Sequence, residues 1–207
     1  PDHFEQFVPR LNAVTLDETK AYHRAFFGAS QGEIVVIGDF DADAVAKQIG
    51  TLFGDWKTSK PYRRIPNPFT LVPVLVDTIE TPDKANAAYF AAMTLPMKDS
   101  DADYPALAIG NFILGSGGLS SRLADRVRQK DGLSYTVQSN LQPSAVDERT
   151  SFYVFAISNP ANAGKLRDAI AEELNRLVAD GITQEELDQA KDGYLQSLQV
   201  ARTDENS

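Results

Sequence analysis

Apolar positions recur at helical spacing in some stretches of this chain and alternate in others, and the switches between the two periods mark out its elements. Residues 16–27 form the first predicted helix, opened by Thr15 as a cap and stopped by Gly28. A short apolar run over 33–38 reads as a strand. The turn Asp39-Phe40-Asp41 then caps a helix whose Val45, Ile49, Leu52 and Phe53 share one face and which Gly54 closes. From 57 to 70 the chain carries Pro61, Pro66 and Pro68 and reads as an extended linker. Two strands, 71–80 and 86–95, follow across the turn Thr81-Pro82-Asp83, with Pro73 placing the first at an edge or delaying its start.

Asp101 caps an almost wholly apolar helix over 104–114, which is expected to be buried. In the next helix, 119–130, Leu119, Leu123 and Val127 form one narrow stripe at about 100° per residue. Arg128 lies away from that stripe, flanked by the small residues Ser121 and Ala124. The strand over 133–141 alternates, with Leu133, Tyr135, Val137 and Leu141 on one side and Ser134, Thr136, Gln138 and Asn140 on the other. The strand over 150–158 is apolar on both faces and therefore central. Two long helices close the chain. Asn159-Pro160 opens one, with Leu166, Ile170, Leu174, Leu177 and Val178 facing inward, and a capping box of Thr183 and Glu186 opens the other. Paired strands alternating with paired helices predict an α+β fold, a mainly antiparallel sheet with helices packed on one face. The strands around Ile34, Val74, Ala88, Val137 and Val154 are expected to share that sheet.

Composition narrows the chemistry more by exclusion than by assertion. With 207 residues and 43% hydrophobic content, the chain can build a core as one compact domain or two tightly packed halves. A formal charge of -9 argues against nucleic acid, and no apolar run is long enough for a membrane span. The absence of Cys excludes disulfides and thiol chemistry. Zinc needs three protein ligands and an open position, yet the only histidines, His3 and His23, are separated by 20 residues and neither has a neighbouring zincin pattern. The expectation is no metal site in this chain. Gly115, Gly117 and Gly118 lack the Lys-Ser or Lys-Thr of a phosphate loop and read as a helix stop and tight turn. Gly38 alone does not make a dinucleotide fingerprint. Glu185 and Glu186 are consecutive on a helix and are explained by the capping box and helix dipole rather than acid-base work. The start at Pro1 without an initiator Met, and a helical pattern that runs on until the sequence stops, lead to the expectation of a piece of a longer protein.

Two stretches carry a family resemblance. GSGGLSSRLADRVRQKDGLSY, residues 115–135, resembles the segment found in the non-catalytic halves of the pitrilysin and insulysin family of zinc metallopeptidases, whose inverted metal motif is H-x-x-E-H. GDFDADAVAKQIGTLFGDW resembles the opening strand and helix of a domain in the same family, and the likeness extends from Leu16 to about Val200. The resemblance implies a zinc-free C-terminal half of a zinc metalloendopeptidase, with 1–207 as a single non-catalytic domain. It implies no catalytic residue in this chain alone. It implies zinc in a separate catalytic domain or subunit, which becomes the expected partner together with a peptide substrate. It assigns substrate holding to Arg128 and Tyr135, seven residues apart. Strand alternation by itself makes Tyr135 a core aromatic, so its orientation stays open at this point. A structural or assembly subunit of the same fold, like the core proteins of the respiratory bc1 complex, is the alternative. The resemblance to exported bacterial members offers the periplasm as a compartment, and nothing in the residues themselves identifies one.

Overall fold

A computed structural model describes residues 4–203, and the chain divides into two compact units at Ile65/Pro66, inside the proline-bearing stretch read as a linker. His3 lies outside the described residues.

The first unit is helical. α1 (Phe4–Ala13) was not anticipated, although Phe4, Phe7, Val8 and Leu11 repeat at helical spacing despite Pro9. α2 (Leu16–Phe26) begins with a complete capping box, in which the Glu18 N–H donates to Thr15 Oγ1 at 3.2 Å and the Thr15 N–H donates to Glu18 Oε2 at 2.8 Å. α3 (Ala42–Phe53) is capped by Asp41 and followed by Gly54. No residue of α2 or α3 is buried. His23 stacks on Phe27 and Trp56, with ring centroids 5.2 and 5.8 Å away. The expected strand at 33–38 does not form. Ile37 is 92% exposed, and the unit holds no described strand with which this run could pair.

The second unit contains the sheet. β1 (Ala87–Leu95), β2 (Ser134–Gln142) and β3 (Thr150–Ser158) form an antiparallel sheet in the order β1-β3-β2, so β3 is central as its two apolar faces require. The run 71–80 does not join it, and Val74 is 95% exposed. Pro73 lacks an N–H for a ladder, and the Thr78 N–H is taken by the Asp77 carboxylate at 2.8 Å, so local chemistry competes with pairing. The sheet therefore has three described strands where five were expected.

The helices pack on one sheet face. Val154 and Ala156 of β3 meet Leu166, Ala169 and Ile170 of α5 (Ala163–Asp180) and Leu114, Leu123 and Val127 of the segment before β2. Val178 is turned out at 87% exposure, against the expected inward stripe. α6 (Gln184–Ala201) starts on the predicted Thr183–Glu186 capping box. α4 (Tyr104–Asn111) is shorter than the predicted helix because the chain widens into a π-helical turn, Phe112–Ser116. A second π-helical turn, Ala124–Lys130, carries Arg128. Such turns are rare and concentrate at functional sites.

Candidate functional site

The segment between the two π-helical turns and β2 builds an open cleft. Gly118 takes φ +69°, a conformation that favours glycine, and turns the chain through Gly118–Ser120. Ser121 folds back beneath this turn, its hydroxyl donating to the Gly118 carbonyl at 2.7 Å, and is fully enclosed. Gly115 is required by close approach: a Cβ there would lie 2.5 Å from the Ser139 backbone nitrogen and 2.6 Å from its hydroxyl. Ser139 is in turn tied to α4, its hydroxyl donating to Asn111 Oδ1 at 2.7 Å. The π-helical turn is thus pressed against β2, and the floor between them is narrow.

Over that floor the cleft encloses about 390 Å³ and is lined by Ser116, Leu119, Arg128, Tyr135, Gln138 and Asn140, among others. Both expected site residues stand on this one cleft. Arg128 is exposed, and its neighbours explain why it is left available. Lys130 pairs with Asp125 at 2.6 Å, and Arg126 pairs with Asp131 and Glu172 at 3.2 and 3.0 Å. Asp125, Asp131 and Glu172 are thus already paired, and among the described residues Arg128 has no hydrogen-bond or ion-pair partner.

Tyr135 corrects the alternation argument. Ser134 pairs with Ser158 and Thr136 with Ile157, so Tyr135 is the extra residue of a β-bulge. The bulge is pinned by the buried Ser134, whose hydroxyl donates toward the Thr136 and Ile157 carbonyls while accepting from the Thr136 N–H at 3.1 Å. Strict period-2 alternation fails at one residue. Tyr135 is thereby expelled from the apolar side and stands 88% exposed, while Val137 stays against the core.

The opposite end of the same segment holds a residue that sequence reasoning missed. Arg122 grips Glu186 through two bonds, Nε to Oε1 at 2.7 Å and Nη2 to Oε2 at 2.8 Å, and Nη2 also donates to the Gly181 carbonyl at 2.8 Å. The Arg122 guanidinium is the main reason the Glu186 carboxyl is lowered to about 2, with Thr183 adding hydrogen bonds and burial opposing. The capping box made Glu186 legible as a helix start; its partner 64 residues away carried no local signal.

A second hollow, about 540 Å³ and lined by Arg10, Val14, Glu18 and Tyr22, lies in the first unit. Its carboxylate, Glu18, is committed to the capping box. Among the described residues no three His, Cys, Asp or Glu side chains converge on a point where a metal could sit. The donor set of the described chain does not suit zinc. No described helix is long and apolar enough to cross a membrane.

The family model described as the peptidase M16 inactive domain matches residues 13–194. An uncharacterized zinc protease of Streptomyces coelicolor is 25% identical over 197 residues, covering 93% of this chain and 42% of the relative. A protein of Helicobacter pylori named as a non-peptidase homolog is 26% identical, covering 90% and 42%. Among solved structures, a protease from Helicobacter pylori aligns with a TM-score of 0.74 at 22% identity over 92% of this chain and 46% of its own. The peptidase M16 inactive domain from Pseudomonas fluorescens aligns at 0.65 and 24%, over 94% and 44%. The chain spans less than half the length of each of these relatives.

Proposed function

The chain belongs to the peptidase M16 inactive-domain family, and from that premise we propose that residues 1–207 act together as the zinc-free half of a zinc metalloendopeptidase, walling part of a substrate chamber and holding the peptide at a zinc carried by another domain or subunit. The observation that carries this reading is the pairing of an unpartnered guanidinium, Arg128, with an exposed tyrosine, Tyr135, on one open cleft. A guanidinium keeps its charge and offers several donors to a peptide carbonyl or to the oxyanion formed when water attacks it. The phenol adds one more donor. Neither group does chemistry alone; the zinc and the general base would be supplied by the partner.

A scaffold role is the second reading, favoured by the Helicobacter pylori relative named as a non-peptidase homolog. The two readings separate in the protein assembled with its catalytic domain. Arg128→Ala and Tyr135→Phe should each lower kcat/KM by about 10²-fold or more with zinc content unchanged, as removal of a transition-state contact does. The double variant should lose less than the product of the two, because groups that grip one carbonyl act as a unit. Wild-type turnover in both variants would sink the holding role, and an assembly with no peptidase activity at all would favour the scaffold.

A further inference from the structure

We infer that Leu119 is a specificity-determining contact for the bound peptide, walling an apolar subsite inside the cleft that takes a leucine-sized side chain next to the carbonyl held at Arg128. This rests on the peptide-holding reading and adds to it a preference that Arg128 and Tyr135 do not provide.

Sequence spacing puts Leu119 in one stripe with Leu123 and Val127, yet those two are fully buried while Leu119 is 57% exposed and lines the cleft. The stripe is broken because Gly118–Ser120 forms a 3-10 turn and Ser121 is extended, at φ -73° and ψ 152°, so the helical path begins only after it. The exposure of Leu119 is built into the turn. Three side chains take successive carbonyls there: the Ser120 hydroxyl donates to Gly117 at 3.1 Å, the Ser121 hydroxyl to Gly118 at 2.7 Å, and Gln129 Nε2 to Leu119 at 2.7 Å. A branched apolar side chain is thus held out at the cleft by bonds that fix its backbone, where a leucine serving only the core would follow Leu123 inward.

Gln129 follows Arg128 in the chain, so its grip on the Leu119 carbonyl keeps the leucine's turn against the stretch of backbone that carries the guanidinium. The rest of the subsite lies on the same, helix-packed side of the sheet. Ala124, buried four residues before Arg128, and Val137, packed against the core two residues after Tyr135, also line the cleft. Among the described residues that line it, Arg128 alone is charged. The cleft therefore sets one cation and a phenol beside a short apolar wall, an arrangement in which a few polar groups fix a ligand's orientation and the apolar wall desolvates one of its side chains. A side chain adjoining the held carbonyl would leave water against Leu119, Ala124 and Val137. Covering a leucine there should tighten binding about tenfold.

The test is fluorescence anisotropy on the intact protein, with a zinc chelator present so that no peptide is cut. Three dye-labelled decapeptides of alternating Ala and Ser carry Leu, Ser or Glu at one central position. The Leu peptide should bind about tenfold more tightly than the Ser peptide. Leu119→Ser, at an exposed position, should remove most of that preference while leaving the Ser peptide's affinity unchanged, and Leu119→Met should retain it. Equal affinity of the Leu and Ser peptides, or a preference that survives Leu119→Ser, would overturn the inference. So would a Glu peptide bound more tightly than the Leu peptide, since Arg128 would then be taking a side-chain carboxylate. If Leu119→Ser releases the catalytic partner in sedimentation, and the wild type shows no peptide preference, the leucine belongs to the interface and the inference fails. Arg128→Ala should weaken the Leu and Ser peptides alike; unaltered affinity for both, with the Leu preference intact and lost in Leu119→Ser, would sink the holding role and leave the apolar subsite standing by itself.

Discussion

Arg122 and Arg128 are six residues apart on one helical segment and are treated in opposite ways. Around Arg122 the fold supplies two carboxylate oxygens and a backbone carbonyl, and the guanidinium side chain is only 11% exposed. Around Arg128 the local acids are consumed by Lys130 and Arg126, and the guanidinium is left over a cleft. One arginine stitches α6 to the segment that shapes the cleft; the other has no bond to any described residue. A charge is made available by what its neighbours already hold, not by its position on an amphipathic helix.

The largest expected effect breaks the clasp. Arg122→Ala removes two charge-assisted bonds from Glu186 and the donor from Gly181, leaving a partly enclosed carboxylate without its partner. The loss should be about 2–3 kcal/mol in chemical denaturation, or roughly 5–10 °C in Tm for a chain of this size. Arg122→Lys should recover only part, because an ammonium cannot reproduce the bidentate fork. A loss below about 0.5 kcal/mol would make Arg122 an ordinary surface arginine.

A smaller effect comes from acid. The Glu186 carboxyl sits at about 2 in the folded chain against an ordinary value of 4.5, so its folded pKa is depressed. Its contribution is therefore complete above about 4.5 and is lost as pH falls from there toward 2. Glu186→Gln should flatten the acid limb of the stability curve in that window while leaving the Thr183 end of the helix capped. An unchanged limb would mean that other carboxylates set it.

The same contrast explains what was legible in the sequence. Helix starts were readable at Thr15, Asp41 and Thr183 because a cap and its N–H groups lie within three residues of one another. The centrality of β3 was readable because burial on both faces leaves an apolar run. The runs at 33–38 and 71–80 misled because a strand is completed by a partner that its own residues do not specify. Tyr135 misled for a different reason. The register shifts by one residue beside the Ser134 hydroxyl, so a single inserted residue breaks a period that the remaining residues obey. Arg128 and Tyr135 could be singled out from the motif that contains them, but their presence on one cleft depends on the π-helical turns and on Gly115 against Ser139, none of which has a local pattern. Arg122 was illegible because all three of its acceptors lie far along the chain.

The smallest effects are expected at Arg128 and Tyr135. Arg128→Ala and Tyr135→Phe should each change stability by no more than about 0.5 kcal/mol, since no bond within the described chain is lost in the first case and an 88% exposed ring is kept in the second. Tyr135→Ala tests the bulge directly. A buried aromatic truncated to alanine costs about 3–5 kcal/mol, whereas a tyrosine turned out by the register shift between Ser134 and Thr136 should cost less than about 1 kcal/mol, mostly in strand propensity. Urea denaturation of the three variants beside Arg122→Ala decides the matter. If Tyr135→Ala destabilises as strongly as Arg122→Ala, the ring is packed in the folded protein and strict alternation was right after all. If the Arg122 variant alone is destabilised, the segment is divided as described: one arginine retained by the fold, and one arginine with one tyrosine left free for a ligand.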